Sequence, residues 1–408
     1  MNNTGAGGAD GTVAEVDLSI NPATTNPVIA KLDLGIDVPS GVALTPTQLL
    51  VVAGDISGGH LYIFNQSDNK PVAGSPFAFP PGSDTFGISG VVYDPVHNQA
   101  VVSMCDAVTC TGSQDSATGW AIFDLATNKF GPVISAPEPD SVSLNPDTGV
   151  IVAPADSIDP PSDANAILAG NETQACLLSD LNLTNDAGDP DGSSADPTTN
   201  LFAVGDFFIP VVTVLNLNGA TFSGPPASCM LHEAGTNPNS VDVEVFAATG
   251  DPSDVVAINP VTHQVLAASD LGPDVGLIDL PSAPSAQLKG PFTFAASSLP
   301  LQPDDNSFSA VDEPFSAAVD TCQNKGLIAN ATFTFLARVD LATLHDHPAK
   351  ISTALPKGTC FGGFSLSCDN GNGVTFFPLP VEPSGGGPIS VNRRLRLGMN
   401  GRVLGGQH

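Results

Sequence analysis

A short pattern that returns along the chain constrains its fold more than any other feature. It is an apolar run closed by Asp or Asn, found at residues 13–18, 61–65, 120–125, 176–181, 212–217, 275–280 and 336–341. Each copy reads as a β-strand ending in an Asx turn, where the terminal side chain accepts a backbone hydrogen bond. A second pattern, a strand joined to another by a hairpin turn, precedes most copies, at 41–55, 89–106, 141–156, 193–206, 254–270 and 315–330. One further copy, 363–377, stands near the C-terminus with no first-pattern strand after it, while the chain begins with a first-pattern strand and nothing before it. The two orphans complete each other. With four strands per unit, 363–377 supplies the inner pair of one unit and 11–34 the outer pair. The expected fold is therefore all-β, a seven-bladed β-propeller closed by C-terminal strands that complete the N-terminal blade, which protects the sheet edges. A six-bladed ring is the alternative, and it follows if the copy at Cys176 is not a blade strand. On this reading residues 1–381 are the propeller and 382–408 a basic tail, either an added strand or a flexible extension.

Composition agrees with a turn-rich β protein, since 41 Gly and 37 Pro leave little room for long helices. The chain carries 42 Asp and Glu against 12 Lys and Arg, a net charge of -30. Binding to nucleic acid depends on basic side chains displacing counterions, so that class is excluded. The longest apolar stretch, 207–215, is interrupted by Pro210 and is too short for a membrane helix, so no membrane insertion is expected.

Residues 263–270, 276–280 and 337–343 resemble the repeats of the YVTN and lactonase-like seven-bladed propellers, and the resemblance spans residues 11–381. It implies the same ring of blades. Where that family has Tyr-Val-Thr-Asn, the second strands here end in Asp55, Asp106, Asp156, Asp206 and Asp270, with Asn330 in the sixth place.

These strand ends open on the same face as the loops entering each innermost strand, which carry Asp37, Asp84, Glu138, Asp140, Asp189, Asp191, Asp251, Asp254, Asp312 and Glu313. Repetition predicts a collar of carboxylates around one mouth of the channel. Two carboxylates about 6 Å apart repel by roughly 3 kcal/mol at an effective dielectric of 20, so a dry collar requires protons or cations. Asp55, Asp106, Asp156, Asp206, Asp270 and Asn330 are the candidate metal ligands, and calcium suits such oxygen donors best. The same residues also serve as turn formers, which repetition at equivalent sites predicts equally. His60, at the start of a third strand near Asp55, is the candidate general base. Nucleophile-elbow, zinc-protease, phosphate-loop and dinucleotide signatures are absent from the sequence. His345 and His347 alternate on an extended segment that reads as a solvated loop.

Seven cysteines allow local bridges, with Cys105–Cys110, Cys360–Cys368 and Cys176–Cys229 as candidate pairs, and one left over. These bridges, together with low Lys and many Asn, Ser and Thr, favour an extracellular or periplasmic protein. Residues 384–408 contain four Arg and no acid, opposite in sign to the rest. That segment is expected either to end loosely or to dock on acidic surface and drive self-association. The leading functional expectation is a secreted binding or scaffold module whose acidic mouth takes a divalent cation and a small polar ligand. A metal-dependent hydrolase of lactone or ester substrates is the alternative, and a self-assembling extracellular structural protein the third. Whether the chain is an enzyme stays open at this level.

Overall fold

Apolar residues on these strands come in unbroken runs, such as 49–53, 150–153 and 201–204, and not in the alternation of a half-exposed sheet. A strand of that kind must be covered on both faces. The computed structural model of the protein describes residues 12–17, 28–35, 37–55, 58–81, 83–84, 90–106, 118–136, 139, 141–155, 166–178, 190–206, 209–222, 239–246, 255–269, 274–282, 295–303, 314–321, 324–330, 335–342, 349–351, 353–354, 372–376 and 394–398.

Seven sheets are formed among these residues, six of them led by a segment from each successive second-pattern copy. β1 (Thr12–Asp17) and β2 (Val28–Asp33) belong to a sheet completed from the other end of the chain. β3 (Val38–Leu44), β4 (Gln48–Asp55), β5 (Gly58–Asn65) and β6 (Phe77–Ala78) form an antiparallel meander. β7 (Ser83–Asp84) and β8 (Val91–Asp94) both pair with β9 (Gln99–Asp106), which continues through β10 (Gly119–Asp124) to β11 (Lys129–Ser135). Two more meanders follow: β12 (Ser143–Asn145), β13 (Val150–Ala155), β14 (Ala166–Gly170) and β15 (Ala175–Leu177), then β16 (Pro190–Asp196), β17 (Leu201–Asp206), β18 (Val211–Asn216) and β19 (Asn239–Glu244). β20 (Val255–Asn259), β21 (Gln264–Ala268), β22 (Asp274–Asp279) and β23 (Ala295–Pro303) make the next. β24 (Pro314–Asp320), β25 (Lys325–Asn330) and β26 (Phe335–Asp340) are followed by β27 (Ala349–Ile351), which runs parallel to β23 of the preceding sheet, and β28 (Thr353–Ala354), which pairs with β26. β29 (Asn372–Phe376) and β30 (Arg394–Gly398) join the N-terminal strands in the order β2–β1–β30–β29. Innermost strands touch their successors, β3 with β8, β8 with β12, β12 with β16, β16 with β20, β20 with β24, β24 with β29 and β29 with β3. Four-stranded antiparallel sheets placed this way are consistent with a β-propeller.

Side chains from one strand feed two different cores. Ala100 and Val102 pack with Leu50, Val52, Leu61 and Ile63 of the sheet before, whereas Val101 packs with Ile151, Ala153 and Leu168 of the sheet after. The same division puts Val150 and Val152 with Phe202 and Val204, and Leu201 and Ala203 with Val256 and Ile258. Each fully buried Val, Leu or Ile contributes about 1.5–3 kcal/mol relative to exposure, so every sheet depends on both neighbours. Trp120 of β10 is fully buried in one such seam and donates its indole N–H to the Asn171 carbonyl of the next sheet at 3.2 Å.

The hairpins joining first and second strands hold the sheets together from one end. Four of them share an Asx-Pro start and a residue of positive φ four places later: Asp94 and Asn98, Asn145 and Gly149, Asp196 and Asn200, Asn259 and His263. Oδ1 of the first residue accepts a backbone N–H two residues on, from Val96, Asp147, Thr198 and Val261 at 2.8–3.0 Å. The second side-chain atom then reaches the left-handed residue of the following hairpin. Asn145 Nδ2 donates to Asn200 Oδ1 at 2.6 Å, Asp196 Oδ2 lies 2.8 Å from His263 Nδ1, and Asn259 Nδ2 donates to Asn324 Oδ1 at 2.6 Å. Each neutral bond of this kind contributes about 1 kcal/mol, and leaving its buried partner unmade costs more.

Two strand assignments read from sequence are corrected. The copy at Cys176 is the outermost strand of its sheet; the third strand is β14, closed by Asn171, whose Oδ1 accepts from the Thr173 and Gln174 N–H groups. Among the described residues seven strands hold the third place in their sheets, with this copy relocated. At the C-terminus, the segment around Val374 is innermost and not second, and the second place is taken by β30 from the basic tail. With β1 on one edge and β29 on the other, β30 offers no free edge for pairing with a second chain. Among the described residues no helix is long and apolar enough to cross a membrane.

Gly170 tests the seam around Trp120. A Cβ there would overlap the Gln174 carbonyl oxygen and lie 2.8 Å from Trp120 Cζ2. Urea unfolding of Gly170→Ala is expected to show a loss of about 1–3 kcal/mol. Gly131→Ala, whose Cβ would meet the Ile122 carbonyl at an ordinary 3.5 Å, is expected to stay within about 0.5 kcal/mol of the parent.

Candidate functional site

In a meander, turns alternate between the two ends of the sheet. The β4–β5 hairpin therefore opens on the same end as the segment entering β3, and these bring Asp37 and His60 together. His60 Nδ1 lies 2.7 Å from Asp37 Oδ2, with the imidazole 28% exposed and the carboxylate only 6%. The approach is close but off the hydrogen-bond line, so the nitrogen has no aligned acceptor. Tyr62 is two residues along the same face of β5, and its hydroxyl lies 2.8 Å from Asp37 Oδ2 and 2.9 Å from the Leu34 carbonyl. One phenolic proton serves only one of these acceptors at a time. Sequence reasoning placed His60 beside Asp55; the structure instead gives it Asp37, 23 residues earlier, while Asp55 stands opposite Gly58 in the β4–β5 register.

Of the six expected metal ligands, Asp206 is the one whose side chain is described. It is buried, and its Oδ1 accepts the Ile209 N–H at 3.0 Å, which is the turn-forming role. Asp55, Asp106 and Asn330 end β4, β9 and β25 as expected, but their side chains lie outside the described residues, as do Asp156 and Asp270 entirely. His345 and His347 are outside them too.

The opposite end of the sheets carries a group that sequence reasoning missed. Asp94 and His97 come from the β8–β9 hairpin and Glu172 from the β14–β15 turn of the neighbouring sheet. His97 Nδ1 is 2.6 Å from Asp94 Oδ2 and 3.3 Å from Glu172 Oε1. Gln99 donates its amide to Glu172 Oε1 and reaches Asp94 Oδ2 at 3.5 Å. Asp94 is buried at 2%, while His97 and Glu172 are 52% and 38% exposed. These three ligand atoms all lie within 4.8 Å of one another. The hydrogen bond from Asp94 and its negative charge hold the His97 pKa above the ordinary imidazole value, with a smaller contribution from Glu172. Elsewhere on this end Asp124 is a turn former: hydrogen bonds from the Ala126 and Thr127 N–H groups hold its carboxyl below the usual carboxylate range.

No family model and no curated protein matches the chain. Solved structures do. The Myceliophteria thermophila Cps50 (Swd1) β-propeller domain aligns at a TM-score of 0.54 and 8% identity, covering 88% of this chain and 96% of that one. This chain has a β-propeller fold. Kuenenia stuttgartiensis hydrazine synthase aligns at a TM-score of 0.50 and 12% identity over 74% of this chain and 83% of that one. A nidogen/laminin complex chain aligns at 0.42 and 15% identity over 72% of this chain and 90% of that one. Likeness at such identities concerns the fold alone.

Because the folded His97 pKa is raised, its contribution to stability is complete below the unfolded value of about 6.5 and disappears as pH rises through the folded value. The His97 ring resonances are expected to titrate above that of an unstructured histidine, and Asp94→Asn to bring the midpoint down. An unchanged midpoint in Asp94→Asn would show that the carboxylate does not hold the proton.

Proposed function

We propose that the protein is a secreted seven-bladed β-propeller acting as a binding or scaffold module, akin to the YVTN and lactonase-like repeat proteins. Its acidic mouth takes a divalent cation, calcium by ligand chemistry, together with a small polar ligand. The observation that carries this reading is the Asp37–His60–Tyr62 group: a buried carboxylate and a partly exposed imidazole converge at the end of the sheets where the second strands finish in Asp. A seven-blade ring is supported by the seven sheets, by the contact of β29 with both β24 and β3, and by the pairing of C-terminal β30 with N-terminal β1. Residence outside the cytoplasm is supported by low Lys content and by the richness in Asn, Ser and Thr. The proposed ligand set is Asp55, Asp106, Asp156, Asp206, Asp270 and Asn330.

A metal-dependent hydrolase is the second reading. What favours it is the seating of His60: a partly exposed imidazole whose Nδ1 lies 2.7 Å from a buried carboxylate is placed to take part in proton transfer. In that case a bound cation would polarise a lactone or ester carbonyl.

Elemental analysis of the purified protein decides the cation. Roughly one or more equivalents of calcium are expected, with a melting temperature several degrees lower after chelation. No bound calcium and no effect of chelator would overturn the cation-binding mouth. Lactone and ester turnover, lost by at least about a hundredfold in His60→Gln, would favour the hydrolase over the binder.

A further inference from the structure

We propose that Asp94, His97 and Glu172 form a second metal site, for a zinc-class divalent transition ion, at the end of the sheets opposite the acidic mouth. The argument begins with the hairpin relay. In three hairpins the second atom of the leading Asx side chain is committed to the left-handed residue of the next hairpin, Asn200, His263 or Asn324. For Asp94 the equivalent residue is Gly149, which has no side chain, so Oδ2 turns instead toward His97 of its own hairpin. Glu172 of the neighbouring sheet approaches the same imidazole nitrogen from 3.3 Å. Two carboxylate oxygens thus converge on one Nδ1.

One nitrogen and two oxygens are the donor set of an open zinc centre, with three protein ligands and a position left for water. Such a centre takes Zn–N and Zn–O distances of about 2.0–2.2 Å, so its ligand atoms sit roughly 3.3 Å apart. The Glu172 contact already has that spacing. The Asp94 contact, at 2.6 Å, opens by less than an ångström through movement of the half-exposed His97 ring. An imidazole ligand selects transition ions over calcium, which keeps this site chemically distinct from an all-oxygen mouth. Because Asp94 and His97 belong to one sheet and Glu172 to the next, the ion would clip the two sheets together.

Titration of chelator-stripped full-length protein with zinc chloride, in the presence of excess calcium, tests the site. One saturable zinc equivalent per chain is expected, with the His97 ring resonances shifting in step. His97→Gln and Glu172→Gln are each expected to weaken binding at least about tenfold. Both side chains are exposed, so the fold is retained, and a melting temperature in the metal-free state within a few degrees of the parent's confirms it. Gly149→Asn supplies the missing relay partner at a position where a Cβ meets nothing within 4 Å and where Asn tolerates the positive φ. It is expected to draw Asp94 away and weaken zinc binding likewise. Affinity unchanged in His97→Gln and Glu172→Gln, or weak uptake at several equivalents that no substitution alters, would overturn the proposal.

Discussion

The structure depends on strands that are apolar on both faces. A sheet built from them cannot present one side to water, so each must be sandwiched between two others. Val101 faces forward and Val102 backward from the same strand, and the pattern continues through Ile151 and Val152 and through Leu201 and Phe202. Burial alone is non-directional and does not fix how one sheet lies over the next. The Asx relay adds that direction. By tying the start of one hairpin to the left-handed corner of the next, Asn145, Asp196 and Asn259 set the offset between successive sheets through oriented bonds that are buried or partly buried.

The fold was largely legible in the sequence because the signal repeats. Strand ends at Asp17, Asn65, Asp124, Asn216, Asp279 and Asp340 fall where the pattern puts them. Where it failed, local chemistry was ambiguous. The apolar run at Cys176 and the run of β14 are equally short, and only the Asn171 turn tells which is third. Near the C-terminus, the choice between Val374 and Leu395 for the second place rests on a partner strand almost the whole chain away.

The sites were less legible for the same reason. His60 was recognisable as a polar residue at a strand start, but its carboxylate lies on the entry to another strand, not on the hairpin beside it. Asp94 and His97 share one hairpin, but Glu172 lies on the next sheet, and the three meet only because adjacent sheets bring an inner hairpin against an outer turn. The repeated Asx-Pro start was a visible signal. Gly149, as the member without a side chain, marks where the relay breaks and where a different chemistry begins. The two ends of the sheets thus differ: one is knitted together by hydrogen bonds between hairpins, and the other carries the strand-end Asp residues.

Mutual dependence of neighbouring sheets is the central claim, and native-state hydrogen exchange measures it most directly. Amides of the second strands, at 49–53, 100–104, 150–153, 201–204 and 265–268, are predicted to be the slowest to exchange and to share one opening free energy, because no sheet is buried without its neighbours. A sheet whose second strand opened on its own, several kcal/mol below the rest, would contradict the account.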